Sequence, residues 1–185
     1  MALFTRSDLV ERARPATFAK AARAVLVESV QRFSATAGYD VFVSHSSLDA
    51  EVVLGLKLKL EDHGLRVYVD WIDDPALDRS RVTAKTAQTL RDRMGACHAL
   101  FYAHSANSVS SKWMPWELGY FDGLGGRVAI VPFTETRQET FAGQEYLGLY
   151  PYVDEAPSSQ TAKQHLWVNS PGVQARVVGT WLRPS

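Results

Sequence analysis

Residues Ser110–Tyr120, with the sequence SSKWMPWELGY, occupy the middle of a strand–helix–strand pattern. The apolar run Ala99–Ala103 precedes them, and a glycine-rich turn separates them from a second apolar run, Val128–Phe133. Short apolar runs bounded by turn residues are typical of buried strands. The residues between the two runs therefore predict a short helix that crosses over between parallel strands.

One carboxylate, Glu117, stands among aromatic residues in this helix. Trp113 lies four residues earlier, so the two side chains share a helix face. A carboxylate walled by indole rings suits a flat, cationic ligand. In the first helical turn, however, the same carboxylate would simply complement the helix dipole. The helix alone leaves both interpretations open.

The pattern of strands alternating with helices continues from Tyr39 towards the C-terminus. Such a pattern predicts an α/β fold, a flavodoxin-like three-layer sandwich with a parallel sheet of about five strands in the order 2-1-3-4-5. Predicted strands are Tyr39–Ser44, Leu65–Val69, Cys97–His104, Arg127–Phe133 and His165–Val168, and further helices are predicted from Leu48 to His63, from Thr83 or Thr86 to Gly95, and from Val173 to Leu182.

Residues 1–37 differ in composition from the rest and are predicted to form a helical extension to an α/β domain at 38–185. They carry six basic and three acidic side chains, and apolar residues recur at helical spacing from Thr17 to Phe33. Pro15 is expected to separate two helical pieces. A transit peptide, a membrane-surface helix and a helix packed on the domain or on a second copy all fit this pattern. Packing is the commonest fate of one apolar stripe and is favoured here.

Polar side chains follow the first three predicted strands at the point where each strand ends. In an open parallel sheet, ligands bind beyond the carboxyl ends of the strands, where the strand order reverses. In the order 2-1-3-4-5 this point lies between the first and third strands. Ser44, His45 and Ser46 follow the first strand, residues 105–117 follow the third, and Asp70 with Trp71 follow the second. These groups are therefore expected to converge on one cleft with Glu117.

The bulk composition excludes several classes of function. Lys and Arg total 20, as do Asp and Glu, so no net field favours nucleic acid or an anionic membrane. The single cysteine, Cys97, excludes an internal disulfide, and the histidines show no ligand spacing, so no metal site is expected. No apolar run reaches membrane-spanning length, and no apolar core of a secretory signal opens the chain. A cytoplasmic location is the consistent expectation.

Several of these segments resemble the conserved boxes of Toll/interleukin receptor (TIR) domains, particularly bacterial ones. Tyr39–Asp49 (YDVFVSHSSLD) resembles the first box, and Leu65–Asp70 (LRVYVD) resembles the second strand. Residues 72–82 occupy the place of the BB loop, and Trp113–Leu118 matches the helix motif Trp-x-x-x-Glu. The boxes run in the family's order over about residues 38–133, roughly half the chain.

The resemblance implies one of two functions. Some TIR domains are adaptors that signal by assembling with other TIR domains. Others, including Thoeris-type phage-defence proteins, cleave NAD+ into nicotinamide and ADP-ribose or a cyclic signal that a downstream effector senses. The cleaving members require the glutamate that aligns with Glu117, which favours an enzyme with NAD+ as substrate and no cofactor. The resemblance and the sheet geometry together assign Glu117 as catalytic and assign substrate binding to Ser44, His45, Ser46, Asp70, Trp71 and Trp113.

The chemistry of NAD+ suits this assignment. Nicotinamide is a cationic leaving group, and its departure leaves an oxocarbenium-like ribose that a carboxylate can stabilise. A non-catalytic interaction module, in which Glu117 only caps its helix, remains the alternative. A nucleoside deoxyribosyltransferase-like enzyme would share the sheet and a cleft glutamate, but the boxes give it no support.

Overall fold

One mixed sheet organises the molecule. The computed structural model describes residues 2–17, 38–69, 83–141, 145–159 and 161–183. Within these ranges the sheet has eight strands. In chain order they are β1 (Phe4–Thr5), β2 (Tyr39–Ser44), β3 (Val67–Val69), β4 (Cys97–His104), β5 (Arg127–Thr134), β6 (Tyr152–Pro157), β7 (Gln164–Ser170) and β8 (Val173–Val177).

The parallel centre of the sheet has the order β3-β2-β4-β5-β6, which confirms the predicted 2-1-3-4-5 arrangement and the α/β class. The whole sheet has more strands than the five predicted, because β7 and β8 add an antiparallel edge and β1 pairs with β5. The fifth parallel strand is β6, and the predicted strand His165–Val168 belongs to β7 instead. The predicted helix Val173–Leu182 was also mostly wrong, since β8 occupies its first half.

Helices cover both faces of the sheet, as expected for three layers. Thr83 caps one of them through a hydrogen bond from the Thr86 amide to its Oγ1, and Gly64, with φ at +81°, ends another in the left-handed region. The described helices are α1 (Arg6–Thr17), α2 (Ala50–Asp62), α3 (Ala84–Gly95), α4 (Trp113–Gly123) and α5 (Val178–Trp181).

Alternation along the strands sorts the core into two clusters. On the central strand β4, Ala99, Phe101 and Ala103 belong to the cluster beneath α1 and α2, whereas Leu100 and Tyr102 belong to the cluster beneath α3 and α4. Successive side chains of a strand point to opposite faces, so a strand buried on both sides must be apolar throughout. This requirement explains why the central runs were recognisable in the sequence.

The N-terminal residues are built into the same core. β1 pairs in parallel with the end of β5, and Leu9 and Ala13 of α1 are buried against α2. The two helices meet so closely at Gly55 that a Cβ there would lie 1.8 Å from the Leu9 carbonyl oxygen. Pro15 lies inside α1, two residues before Thr17, and a second helical piece beyond this point stays a prediction. The apolar stripe from Thr17 to Phe33 lies almost wholly outside the described residues, and the boundary at 37/38 stays a prediction.

Asp154 on β6 provides a test of how a buried carboxyl group affects stability. Its side chain is fully buried, and neither oxygen has a hydrogen-bond partner in the described part of the chain. The nearby Asn169 amide offsets only part of the rise in pKa that burial causes. Burial therefore raises the pKa of Asp154 above its usual value of 3.8. The folded protein binds this proton more tightly than the unfolded chain does, so this residue's contribution to stability is lost as pH rises through the folded pKa.

We expect Asp154→Asn to gain stability relative to the wild type as the pH rises from below 3.8, and to level off above the folded pKa. Asp62→Asn is the matched control with the opposite sign. A hydrogen bond from Arg12 lowers the pKa of Asp62, so Asp62→Asn should lose stability relative to the wild type as the pH rises. Urea unfolding of both variants across the acid range measures the two trends. Parallel curves for Asp154→Asn and the wild type would contradict the expectation.

Candidate active site

Glu117 lies at the carboxyl edge of the sheet, hydrogen-bonded to the last residue of β2. The Ser44 hydroxyl donates to Glu117 Oε2 at 2.5 Å, and both side chains are 0% exposed. α4 begins at Trp113 and has no acidic residue in its first turn, so Glu117 is in the second turn. The interpretation of Glu117 as a first-turn partner of the helix dipole was therefore wrong. The carboxylate faces the sheet, at the edge where ligands bind in this class of fold.

The sequence of α4 explains why a carboxylate is buried. Met114 lies three residues before Glu117, and Phe121 lies four residues after it. Both are buried with Leu118 against the sheet. Residues at this spacing share a helix face, so the packing of the apolar residues carries Glu117 inward. An apolar residue at this position would be the ordinary solution, and a buried carboxylate instead indicates a functional constraint.

Tyr102 of β4 lies near this carboxylate. It pairs in register with Ser44 and lies close enough to Glu117 for the two groups to interact electrostatically. Burial raises the pKa of Tyr102 to about 12. The phenol therefore stays protonated at neutral pH and adds no negative charge beside Glu117.

A cleft of about 770 Å³ opens next to Glu117, at the ends of β2 and β4. His45 and Ser46 line one side, and Trp113 and Trp116 line the other. The cleft is large enough for a nucleotide-sized ligand, since such pockets commonly measure about 300–1,000 Å³. Glu117 is not itself part of the lining; it lies behind it.

His45 and Ser46 have local structural partners as well as a place in the cleft. His45 Nδ1 lies 3.0 Å from the Val43 carbonyl oxygen, which only accepts, so Nδ1 carries a proton. The Ser46 hydroxyl accepts from the Leu48 amide at 3.4 Å and caps the short 3-10 helix Ser47–Asp49. Ser46 therefore caps this short helix while still lining the cleft.

A row of aromatic side chains forms the outer wall of the cleft. Trp113 and Trp116 meet edge to face at 5.4 Å, and Trp116 stacks on Tyr120 at 5.8 Å. The Arg91 guanidinium of α3 lies over both rings of the second pair, 5.5 Å from the Trp116 centroid and 5.8 Å from that of Tyr120. These are cation–π distances, so the wall fixes a positive charge beside the cleft.

Asp49 holds together the segments that surround the cleft. Its carboxylate is 1% exposed and accepts hydrogen bonds from Arg6 Nη1 at 2.9 Å, Ser105 Oγ at 2.6 Å and Asn107 Nδ2 at 2.7 Å. The donors come from α1 and from the loop after β4, which leads into α4. Asp49 therefore joins the N-terminal helix to both loops at the carboxyl edge of the sheet.

The structure brings together most of the residues predicted to form the site. Ser44, His45, Ser46, Trp113 and Glu117 lie around one cleft, although this placement does not test their roles. Asp70 and Trp71 lie outside the described residues.

Asp49 and Arg91 were not predicted. Asp49 lies inside a recognised box but its partners are distant in sequence, and Arg91 belongs to no motif. The i, i+3, i+7 spacing of Trp113, Trp116 and Tyr120 was the one signal that could have pointed to an aromatic wall.

Two further findings concern metals and membranes. Among the described side chains, no group of three or more His, Cys, Asp or Glu residues is arranged to hold a metal ion. None of the helices within the described ranges is long and apolar enough to cross a bilayer.

An open, mainly parallel α/β sheet with a cleft at its carboxyl edge defines the doubly wound class of domains, which bind ligands at that edge. Within that class the sequence matches the TIR domain model over residues 41–166, and the chain belongs to the TIR domain family.

Two curated relatives of this chain are named as cyclic ADP-D-ribose synthases. The chain is 42% identical to a protein of Bacillus cereus (strain MSX-D12) named probable 3' cyclic ADP-D-ribose synthase ThsB', over 99% of both chains. It is also 32% identical to a protein of Cytobacillus dafuensis named putative cyclic ADP-D-ribose synthase TIR2, over 47% of this chain and 23% of that protein.

Proposed function

We propose that this protein cleaves the nicotinamide–ribose bond of NAD+ and converts the remainder to ADP-ribose or a cyclic ADP-ribose. The observation that carries the proposal is Glu117, a carboxylate buried at the ligand-binding edge beside an aromatic-walled cleft. The names of the two relatives support the same reaction. The relative that matches over nearly its full length favours the cyclic product.

Cleavage of the nicotinamide–ribose bond requires a negative charge near the ribose rather than a general acid. The C1′–N bond of NAD+ breaks with both electrons leaving on nicotinamide, which departs neutral, and positive charge develops on the ribose. The Glu117 carboxylate stabilises that charge. Attack by water with loss of a proton gives ADP-ribose, whereas attack by a nucleophile of the same molecule with loss of a proton gives a cyclic product.

Glu117 must come into contact with the ribose for this reaction to occur. In this structure it is buried and held by Ser44, so its side chain must turn towards the cleft and give up that hydrogen bond. Catalytic contacts often tighten only once the substrate is bound. Trp113 then walls the nicotinamide ribose, and His45 and Ser46 contact the dinucleotide from the end of β2.

The proposal also covers two further substrate-binding residues, the partners of the protein and its biological role. Asp70 and Trp71 are proposed to reach the substrate from the end of β3. Self-association through TIR–TIR contacts, a downstream effector that senses the product, a role in antiphage defence and a cytoplasmic location are all proposed on the family resemblance.

The test is incubation of the protein with NAD+ over a range of protein concentrations. We expect release of nicotinamide, seen by chromatography, together with a product whose mass is that of ADP-ribose or of ADP-ribose less one water. Specific activity that rises with protein concentration would support self-association. Intact NAD+ at the highest concentration, under conditions where sizing shows assembly, would instead support a non-catalytic interaction module.

A further inference from the structure

The cleft beside Glu117 carries an uneven distribution of charge in a chain with no net charge. Two cationic side chains, Arg91 and Lys112, line it. None of the described residues that line it is acidic. Clefts lined by one sign of charge concentrate ligands of the opposite sign. The described part of the lining therefore favours an anionic group of a ligand, even though Glu117 beside the cleft suits a cationic one.

Arg91 is held in place more firmly than a surface arginine. Its guanidinium lies over the faces of Trp116 and Tyr120, whose rings stack with an interplanar angle of 13°. A guanidinium over aromatic faces keeps its N–H groups available around its edge, in a fork that matches phosphate oxygens. Little conformational entropy remains to be lost when such a group binds a ligand.

Arg91 and Lys112 reach the cleft from different elements. Arg91 belongs to α3, and Lys112 immediately precedes α4, so an anion between them would contact both helices. Lys112 is exposed and supplies a mobile point charge, whereas Arg91 supplies fixed geometry. Two cations match the two negative charges of a diphosphate.

We propose that Arg91 and Lys112 form the diphosphate subsite of this cleft, with Arg91 as the main determinant of affinity. The proposal rests on the proposed function for the identity of the substrate, a dinucleotide. The diphosphate is gripped between α3 and the start of α4. The positively charged nicotinamide end is thereby directed towards Trp113 and the Glu117 side of the cleft. The anionic diphosphate thus faces Arg91 and Lys112, and the cationic nicotinamide end faces the side of the cleft where Glu117 lies.

Binding of ADP-ribose and of adenosine tests the subsite without requiring turnover. Calorimetry of the full chain gives both affinities for the wild type, Arg91→Gln, Arg91→Lys and Lys112→Gln. Lys85→Gln removes the same charge from an exposed position on α3 that does not line the cleft, and is the matched control. Loss of one charge-assisted hydrogen-bonding group is expected to weaken ADP-ribose binding by about tenfold or more.

The expected result is a weaker affinity for ADP-ribose in Arg91→Gln and, to a smaller extent, in Arg91→Lys and Lys112→Gln, with adenosine affinity unchanged. Added salt should weaken ADP-ribose binding less in Arg91→Gln than in the wild type. Equal losses for ADP-ribose and adenosine would show that Arg91 only supports the aromatic rings, and would overturn the proposal. So would wild-type affinity for ADP-ribose in Arg91→Gln, whatever the result for Lys112→Gln, or no measurable binding by the wild type.

The two proposals fail in different ways. If the wild type binds ADP-ribose through Arg91 but leaves NAD+ intact, the proposed reaction is wrong and the diphosphate subsite stands. If it cleaves NAD+ and Arg91→Gln leaves both KM and ADP-ribose affinity unchanged, the subsite is wrong and the reaction stands.

Discussion

Replacement of Glu117 by Gln is expected to lower the rate of NAD+ cleavage by about a thousandfold, because removing a group that stabilises charge in the transition state has effects of that order. The amide has nearly the same shape as the carboxylate, and its oxygen can still accept the hydrogen bond from Ser44. The fold is therefore preserved while the negative charge that stabilises the developing oxocarbenium ion is lost. The loss should appear mainly in kcat, because the charge is needed most in the transition state.

The measurement is the initial rate of nicotinamide release by the wild type and by Glu117→Gln, with the thermal unfolding of both recorded in parallel. Glu51→Gln, which removes an exposed carboxylate from α2, is the matched control and should keep wild-type activity. A Glu117→Gln variant that is folded and turns over NAD+ at a rate close to the wild type would remove Glu117 from the mechanism.

The parallel centre of the fold was predictable because burial on both faces leaves a strong signal. The strands β2, β4 and β5 must be apolar at nearly every position, and their runs are therefore visible without alignment. The edge strands lack this constraint. β6 carries Asp154, Glu155 and Pro157, so it does not read as a buried strand. β8 alternates only weakly, and its pairing with β7 outweighs the helical spacing of the apolar residues that follow it.

The predicted site followed from topology, and what was missed depends on contacts between distant residues. Strand ends in an open parallel sheet converge whatever their sequence, so Ser44, His45 and Glu117 could be placed together in advance. The partners of Asp49 lie 43, 56 and 58 positions away along the chain, and nothing local marks such pairs. Arg91 is similar: its importance depends on the rings of α4, which a reading of α3 alone does not reveal.

The second large effect is expected at Asp49. Asp49→Ala should lower the free energy of unfolding by about 2–4 kcal/mol, because it removes one partner from a buried, charge-assisted network. The Ser105 hydroxyl, itself buried, would lose an acceptor, and so would the Asn107 amide. Arg6 is 34% exposed and can be solvated, so the loss of its ion pair with Asp49 contributes least to the destabilisation. Urea unfolding measures the change, with Asp92→Ala on the exposed face of α3 as a control expected to stay within about 0.5 kcal/mol.

The consequence for activity separates a general loss of stability from a specific loosening of the site. Ser105 and Asn107 belong to the loop that leads into α4, so without Asp49 the start of that helix is less fixed, and Trp113 with it. At a temperature where Asp49→Ala is still fully folded, kcat for NAD+ should therefore fall, whereas a variant of equal stability loss made in the core beneath α1, such as Leu9→Ala, should keep it. Equal activity in the two variants would mean that Asp49 only stabilises the fold. A lower kcat in Asp49→Ala alone would mean that Asp49, through Ser105 and Asn107, holds the loop into α4 in the position that catalysis requires.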